Sequence, residues 1–260
     1  MDDVMASFGL EPEKQVVIPK PGITEKDGKR FAWHFNGATQ DFEHVQVKKD
    51  DKTGFWYRTR TFDRTAVKQC LNNYIDIKPE GKVVLDLGAN IGGFTRMALD
   101  GGATQVIAVE PCPYNRVMLE ENAPKADVIF AGVVGLSDDT DIDYIYASSK
   151  SCSSVSSSTM KRRCSSDVSI KVPTVKFTDL LEKYRPQVLK CDIEGNEYAI
   201  LDALEKIPDF VEVAFFEFHR GSEPFKSYPA RYFPEDVWEL TEYSTNRFGG
   251  LRELLFTRKG

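Results

Sequence analysis

The sequence has few cysteines and histidines, the residues that stabilise small folds through disulfide bonds or bound zinc. Its five cysteines are an odd number, none of them forms a C-x2-C pair, and the three histidines are scattered along the chain. Structural zinc sites need such clustered ligands. A chain of 260 residues also builds a hydrophobic core without disulfide bonds. We therefore expect free thiols in a reducing compartment and no structural zinc.

Long apolar segments are missing as well. No run approaches the ~20 apolar residues that a helix needs to cross a bilayer. The first residues, MDDVMASFGLEPEK, are acidic and contain neither the basic nor the apolar region of a signal peptide. The sequence therefore predicts a soluble cytoplasmic protein with no membrane span.

Positive charge is not in excess. Lysine and arginine total 34, aspartate and glutamate total 40, and the formal net charge is −6. Proteins that coat nucleic acids need clustered cations to neutralise phosphates, so the composition disfavours a nucleic-acid partner. The hydrophobic fraction of 41% and the charged fraction of 28% are typical of globular proteins, which excludes collagen, coiled coil and wholesale disorder.

The hydrophobic pattern divides the chain into two parts. Residues 1–63 are polar with aromatic segments, and we interpret them as an N-terminal elaboration with short strands at 31–36 and 53–62. In residues 64–260, strands alternate with helices, which predicts a doubly wound α/β sheet. The strands are predicted at 82–87, 105–110, 127–134, 188–193, 211–219 and 253–259, and the helices at 64–77, 93–100, 114–122, 178–184 and 197–207.

A hairpin-like excursion interrupts this alternation. Segments 141–147 and 168–177 alternate apolar and polar residues and predict two strands. Half of the residues between them, at 148–167, are serine. Such a composition buries too little apolar surface to become ordered, so we predict a flexible surface loop there. Thr178 is the predicted N-cap of the helix that follows.

A glycine-rich turn follows the first strand of the α/β part. Residues 86–95 read DLGANIGGFT. Gly88 and Gly92 allow the backbone to turn tightly and to approach a ligand closely, and the helix that follows offers unpaired N–H groups at its N-terminus. A turn of this kind between a strand and a helix is typical of nucleotide-binding sites.

Glu110 ends the second strand, 22 residues after Gly88. An acidic residue at about this spacing accepts hydrogen bonds from ribose hydroxyls. The loop lacks the third glycine of the NAD fingerprint, G-x-G-x-x-G. Asp86 at its entrance would repel a pyrophosphate, whereas it suits the cationic amino-acid tail of S-adenosylmethionine. The residues therefore favour S-adenosylmethionine over NAD.

Charged residues gather at the end of the fourth strand. Asp192 and Glu194 lie on one side with Lys190 if the strand extends that far. Charges at the end of a buried strand are costly without partners or a task. We therefore assign a functional role to Asp192 and Glu194, and we interpret Glu197 as an acid that interacts with a helix dipole.

Glu217 and His219 end the fifth strand and point the same way. A histidine that a carboxylate orients is a candidate general base for a hydroxyl. Alternatively, Asp192, Glu217 and His219 could ligate a divalent cation that lowers the pKa of the hydroxyl. The sequence leaves metal dependence open.

Four runs in this order, VVLDLGANIGGFT, VIAVEP, LKCDIEGNEYAIL and FFEFH, resemble the FkbM family of methyltransferases. The resemblance covers about residues 64–220. It implies a class I, Rossmann-like, mostly parallel sheet of seven strands, S-adenosylmethionine as the cofactor, and methylation of hydroxyl groups, commonly on sugars or polyketide-type products. In the cofactor site, it implies that the methionine part is held by Asp86, Gly88, Asn90 and Gly92, that Thr95 bonds within the loop, that Glu110 holds the ribose, and that Pro111 and Cys112 begin the adenine pocket.

We therefore predict an S-adenosylmethionine-dependent O-methyltransferase that acts on a hydroxyl of a sugar or glycan by in-line displacement. The alternatives are a nucleic-acid methyltransferase, an NAD-dependent oxidoreductase on a similar sheet, and a binding module without catalysis. The acceptor and the oligomeric state do not follow from the sequence. The predicted catalytic residues are Asp192, Glu194, Glu217 and His219.

Overall fold

The computed structural model describes residues 16–145, 154–155, 168–219, 227–245 and 252–260. The loop predicted to be flexible at 148–167 lies outside these residues except for Ser154–Val155. Within the described chain there are three sheets, with four, four and seven strands. None of the helices described combines the length and the hydropathy needed to cross a bilayer.

The strands and helices are numbered in chain order. The strands are β1 (Ile23–Lys26), β2 (Lys29–Asn36), β3 (Asp41–Lys49), β4 (Trp56–Arg58), β5 (Val83–Leu87), β6 (Gln105–Val109), β7 (Asp127–Ile129), β8 (Gly132–Val134), β9 (Asp141–Ile145), β10 (Ser154–Val155), β11 (Ser169–Lys176), β12 (Val188–Cys191), β13 (Val213–Phe218), β14 (Trp238–Thr245) and β15 (Arg252–Arg258). The helices are α1 (Asp63–Asn73), α2 (Gly93–Asp100), α3 (Pro113–Asn122), α4 (Phe177–Tyr184), α5 (Glu197–Asp202) and α6 (Ser227–Tyr232).

The central sheet has the strand order β14–β15–β13–β12–β5–β6–β7. The five strands from β13 to β7 are parallel, and β15 runs antiparallel to both of its neighbours. Strands β5 and β6 are buried over four of their five residues, as expected for parallel strands covered on both faces. The predicted doubly wound, mostly parallel sheet of seven strands is therefore confirmed.

The chain reverses its direction of winding between β5 and β12. From β5 it proceeds outward to β6 and β7, and it later returns to add β12 and β13 on the other side of β5. Leu87 and Cys191 pair at the carboxyl ends of β5 and β12. Ligands of open α/β sheets bind at such a switch point, beyond the carboxyl ends of the strands.

Two apolar layers cover the central sheet. Val84 of β5 belongs to one core cluster, together with Phe94 of α2. The next residue, Leu85, belongs to the opposite cluster, together with Phe177 of α4 and Leu201 of α5. Successive strand residues point to opposite faces, so a single strand contributes to both layers and fixes the helices on each side.

The first 58 residues contain an antiparallel sheet with the order β1–β2–β3–β4, hereafter the N-terminal sheet. Its strand β2 covers the strand predicted at 31–36, whereas only Trp56–Arg58 of the segment predicted at 53–62 is a strand. Ala32 and Val47 of this sheet pack in one cluster with Ile91 and Met118. The N-terminal sheet is therefore packed against the loop after β5 and against α3.

The predicted excursion is a sheet with the order β10–β9–β11–β8. Strands β9 and β11 are antiparallel, and β11 also pairs with β8 in parallel. The single strand predicted at 127–134 is wrong, because β7 belongs to the central sheet and β8 to the excursion. Pairing with β6 ends where β6 itself ends, at the Val109–Ile129 pair, and the chain then leaves the central sheet.

Three helix boundaries also differ from the prediction. Helix α1 ends at Asn73 instead of residue 77. Helix α4 begins at Phe177 with Lys176 at the N-cap position, and no side chain caps it; Thr178 is already inside the first turn and is not the N-cap. Helix α5 ends at Asp202 instead of residue 207. Pro208 disfavours helical backbone at residue 207, the residue before it, and the helix itself ends five residues earlier.

Candidate functional site

The loop from Gly88 to Gly92, hereafter the glycine loop, lies against the end of β12. Gly88 has a φ of +76°, and a Cβ atom there would lie 1.8 Å from the carbonyl oxygen of Asp192. Gly92 has a φ of +88°, and its Cβ atom would lie 2.8 Å from the side chain of Leu119. Glycine is therefore required at position 88, where the close neighbour is the main chain beyond β12, and it is favoured at position 92 by the left-handed backbone.

Asp86 is fully buried behind the glycine loop. Its Oδ2 atom accepts a hydrogen bond from Thr95 Oγ1 at 2.6 Å, and its Oδ1 atom lies 3.2 Å from Lys190 Nζ. Lys190 also donates to the carbonyl oxygen of Gly88 at 2.8 Å. These contacts tie β5, the glycine loop and β12 together. A direct contact of Asp86 with the methionine part of the cofactor stays a prediction.

Lys190 carries its charge inside the protein. Burial acts to lower the pKa of its ammonium group, but the charges of Asp86 and Asp192 outweigh burial and raise the pKa above its usual value. The distance from Lys190 Nζ to Asp192 Oδ2 is 3.9 Å. Lys190 thus stays protonated and compensates the buried carboxylate of Asp86.

Glu110 lies at the carboxyl end of β6 and is 4% exposed. Its Oε2 atom accepts a hydrogen bond from the N–H of Asn90 at 2.7 Å, and its Oε1 atom accepts one from the N–H of Cys112 at 2.8 Å. Burial raises the pKa of Glu110 to about 7, although these two hydrogen bonds act in the opposite direction. The carboxylate therefore joins the glycine loop to the start of α3, with half-buried Pro111 between them.

At the carboxyl ends of β12 and β13 lies a group of half-buried ionisable side chains, hereafter the acidic cluster: Asp192, Glu194, Glu217 and His219. His219 Nε2 lies 3.3 Å from Glu194 Oε2 and 3.7 Å from Glu217 Oε1. The structure thus brings together all four residues that the sequence nominated as catalytic.

The backbone conformation that places Glu194 in this cluster differs from the predicted strand. Strand β12 ends at Cys191, so the two-residue period of a strand does not align Glu194 with Lys190 and Asp192. Glu194 instead has a φ of +56°, and Gly195 a φ of +111°. This left-handed turn directs the Glu194 carboxylate back towards His219, which a strand pattern does not reveal.

Glu197 has a larger part in the cluster than sequence reasoning assigned to it. It is fully buried, and its Oε1 atom accepts hydrogen bonds from the N–H groups of Ile193 at 3.2 Å and Gly195 at 3.0 Å. The same oxygen lies 3.0 Å from His219 Nδ1. Glu197 therefore holds both the turn that carries Glu194 and the imidazole ring. In the sequence, the only sign of this role is that Glu197 is an acidic residue two positions after Gly195, at the start of a helix.

The electrostatics of the cluster bear on the predicted base. Burial raises the pKa of Glu194 to about 7 and that of Glu217 to about 9. Burial alone would lower the pKa of His219, but its hydrogen bond with Glu197 and the surrounding carboxylates raise it to about 11. The raised pKa favours the imidazolium form of His219 at neutral pH, and the ring accepts a proton from a hydroxyl only after losing its own.

Three members of the cluster have the donor set of a cation site. Asp192, Glu194 and His219 each offer one ligand atom, and these atoms lie within 4.8 Å of one another. Carboxylate oxygens and an imidazole nitrogen suit divalent ions such as Mg²⁺, Mn²⁺ and Zn²⁺. His219 Nδ1 is engaged by Glu197, which is the arrangement that commonly orients metal-binding histidines.

The sequence matches a known protein family. The family model of the methyltransferase FkbM domain matches residues 86–257. The chain belongs to this family. The match confirms the resemblance drawn from the four sequence runs. It begins at Asp86, so the N-terminal sheet and α1 lie outside the matched FkbM domain.

A curated relative of this FkbM domain is the hexuronic acid methyltransferase AglP of Haloferax volcanii, which is 27% identical over 154 residues. The match covers 56% of this chain and 59% of AglP, so the chain spans less than two thirds of the relative's length.

Two solved structures resemble this chain distantly. A precorrin-6y C5,15-methyltransferase from Geobacter metallireducens is 10% identical with a TM-score of 0.42, and the match covers 82% of this chain and 96% of that one. A TehB-like SAM-dependent methyltransferase from Corynebacterium glutamicum is 11% identical with a TM-score of 0.38, and the match covers 74% of this chain and 87% of that one.

Proposed function

We propose that this FkbM domain transfers a methyl group from S-adenosylmethionine to a hydroxyl oxygen of a sugar. The observation that carries the proposal is the meeting of two sets of side chains at one switch point. Glu110 and the glycine loop follow β6 and β5, whereas the acidic cluster follows β12 and β13. A cofactor and an acceptor bound to these two sets would be neighbours.

The residues of the first set fit S-adenosylmethionine. Glu110 accepts two backbone hydrogen bonds, and because a carboxylate offers about four acceptor positions, it keeps capacity for a ribose hydroxyl. Asp86 is buried 3.2 Å from Lys190 Nζ, and this balanced pair supports the loop that would border the methionine part. Gly88, Asn90 and Gly92 would border the methionine part, and Pro111 the adenine.

Bound S-adenosylmethionine supplies an activated methyl group, so the main task of the protein is to align the acceptor oxygen. Carboxylates of the acidic cluster accept hydrogen bonds from sugar hydroxyls. They also attract the proton that leaves the hydroxyl as the new bond forms. His219, held by Glu197, balances part of this negative charge and orients Glu194 and Glu217.

We further propose that Asp192, Glu194 and His219 hold a divalent cation. A bound cation would lower the pKa of a coordinated hydroxyl and would replace the proton on His219 Nε2. Glu217 is outside this ligand set, yet its Oε1 atom lies 3.7 Å from His219 Nε2. It is therefore the carboxyl group left to accept the hydroxyl proton, which it does only after losing its own, because burial raises its pKa to about 9.

The name of the relative AglP supports a sugar as the acceptor. The acidic cluster adds a physical constraint, because three carboxyl groups surround one imidazolium and their mutual repulsion helps to raise the pKa values of Glu194 and Glu217. A negatively charged sugar such as a uronic acid would be repelled there without a cation. A neutral sugar hydroxyl would bind with or without one.

Calorimetry with S-adenosylhomocysteine, with NAD as the control ligand, tests the cofactor. We expect micromolar binding of S-adenosylhomocysteine, no binding of NAD, and weaker binding by Glu110→Ala. Failure to bind S-adenosylhomocysteine, or equal binding of NAD, would overturn the proposal.

Transfer of a radiolabelled methyl group tests the acceptor. Free sugars, nucleotide sugars and glycans would be compared with RNA, each with and without EDTA. Labelling of RNA alone, with a steep salt dependence, would replace the sugar proposal. Loss of sugar labelling in EDTA and its recovery with Mn²⁺ would support the cation, and full activity in EDTA would contradict it.

A further inference from the structure

Arg58, the last residue of β4, is 3% exposed and lies outside the matched FkbM domain. Its Nε and Nη2 atoms each donate to one carboxylate oxygen of Asp63 at 2.9 Å. Burial acts to lower the pKa of Arg58, but the charge and the hydrogen bonds of Asp63 outweigh burial and raise it. The pair therefore stays charged inside the protein in a two-pronged geometry that fixes the guanidinium plane.

Arg58 also reaches helix α3. Its Nη2 atom donates to Asn115 Oδ1 at 2.7 Å, across 57 residues of sequence. Its Nη1 atom lies 3.4 Å from the carbonyl oxygen of Tyr114. A guanidinium has donors only, so it requires the oxygen of the Asn115 amide to face it, and the NH₂ group of that amide then points away from Arg58.

The Asn115 side chain also acts on Glu110. It lowers the pKa of that carboxyl group against the larger effect of burial, and so favours the ionised form. Because an ionised carboxylate only accepts hydrogen bonds, the part of Asn115 that favours it is the NH₂ group that Arg58 turns away from itself. A chain of polar interactions thus leads from Asp63 through Arg58 and Asn115 to Glu110.

We propose that Arg58 and Asn115 are positioning residues that hold the Glu110 carboxylate for the ribose of the cofactor. The proposal rests on the proposed function, in which Glu110 binds the ribose. It makes the N-terminal sheet part of the cofactor site. The backbone N–H donors of Asn90 and Cys112 remain whatever side chains stand there, whereas the donor on Asn115 can be removed by substitution.

A matched control exists on the same two elements. Arg30 of β2 pairs with Glu121 of α3, with 2.8 Å between Nη2 and Oε1. Like Arg58, it links the N-terminal sheet to α3, but its partner lies at the far end of that helix from Asn115. Arg30→Met removes a link between the same elements without touching the path to Glu110.

The test uses the full chain and two probes, S-adenosylhomocysteine and its 2′-deoxy analogue, in calorimetry. The wild type is expected to prefer the ribose probe. Asn115→Ala is expected to bind S-adenosylhomocysteine about tenfold more weakly, as for loss of one charge-assisted hydrogen bond, and to lose most of its preference for the 2′-hydroxyl. Arg30→Met is expected to keep both properties. Arg58→Lys is a second variant, which keeps the charge but loses the fork that orients Asn115.

The ratio of the two affinities separates positioning from a general structural effect. If Asn115→Ala keeps the wild-type affinity, or weakens both probes equally, the proposal is overturned. If Arg30→Met reduces the preference as much as Asn115→Ala does, the effect comes from attachment of the sheet and the proposal is also overturned. If the wild type binds neither probe, the proposed function itself has failed.

Discussion

The two halves of the candidate site treat charge in opposite ways. In the cofactor half, Asp86 and Lys190 are almost inaccessible and face each other. In the acidic cluster, Asp192 and Glu194 retain 27% and 29% of their side-chain exposure, and three carboxylates share one histidine. Buried charges are tolerated when they are paired, whereas unbalanced charge is less costly where water or a ligand reaches it. The charges of the cofactor half therefore balance each other, whereas the carboxyl groups of the acidic cluster outnumber its histidine.

The backbones of the two halves are also held in different ways. The conformation of the glycine loop is restricted by steric contact, since only glycine fits at position 88 beside the main chain of Asp192. The turn of the acidic cluster is fixed by side-chain hydrogen bonds, since Glu197 holds its N–H groups. Substitutions in the first half should therefore reduce stability and binding together, whereas those in the second should mainly reduce activity.

Gly88→Ala is the most damaging change we expect. The new Cβ atom would lie 1.8 Å from a backbone oxygen at a φ of +76°, so overpacking and left-handed strain should together cost about 3 kcal/mol or more. Gly81→Ala is the control, because it has a φ of +71° and no atom within 4 Å of its Cβ position. It should cost about 1 kcal/mol from strain alone. Urea denaturation measures both, and equal costs would mean that the loop is not pressed against the end of β12.

Lys190→Met should be next in size. It leaves the buried Asp86 carboxylate without its cation, which typically costs about 3–5 kcal/mol. Lys206→Met is the control, because Lys206 is paired with Asp209 at the surface, where both side chains are more than 70% exposed and such pairs contribute at most about 1 kcal/mol. Adding Asp86→Asn to Lys190→Met should restore part of the free energy of unfolding. No restoration would show that charge is not the cause.

Most strands of the central sheet could be predicted from the sequence because they are apolar runs. Strand β14 is the exception, because its sequence WELTEYST contains no apolar run and no strand is predicted there. Strand β5 at Val83–Leu87 and strand β12 at Val188–Cys191 lie within the predicted 82–87 and 188–193. The approximate places of Glu110 and Asp192 then follow, because carboxyl ends of parallel strands share one edge. The break between β7 and β8 could not be predicted, since nothing in an apolar run marks where a chain changes sheets.

The long-range contacts between side chains could not be predicted from the sequence. Glu197 reaches His219 across 22 residues, and Arg58 reaches Asn115 across 57. Both contacts depend on how loops and separate sheets pack together. Local propensity and periodicity describe single elements, so they do not indicate which buried acid faces which base.

Glu197→Gln tests the acidic half alone. Glutamine keeps an oxygen for the N–H groups of Ile193 and Gly195 but removes the charge beside His219. Loss of such a supporting carboxylate typically weakens metal binding or activity 10–100-fold, with a smaller effect on stability than Lys190→Met. Mn²⁺ titration and nitrogen NMR of the His219 tautomer provide the measurement, with exposed Glu212→Gln as the control. Unchanged Mn²⁺ affinity and tautomer would mean that Glu197 supports only the turn.

The smallest effect we expect is a pH dependence that arises in the cofactor half. Burial raises the pKa of Glu110 to about 7, and its ionised form is the better acceptor for a ribose hydroxyl. Because the carboxylate loses its proton as the pH rises through this value, affinity for S-adenosylhomocysteine should increase about tenfold between pH 6 and pH 8 and then level off. Calorimetry across this range measures the change, and Glu110→Gln should give a weak and flat profile. A flat profile in the wild type would mean that the Glu110 carboxylate does not bind the ribose in its ionised form. The cofactor half would then owe its affinity to the glycine loop alone.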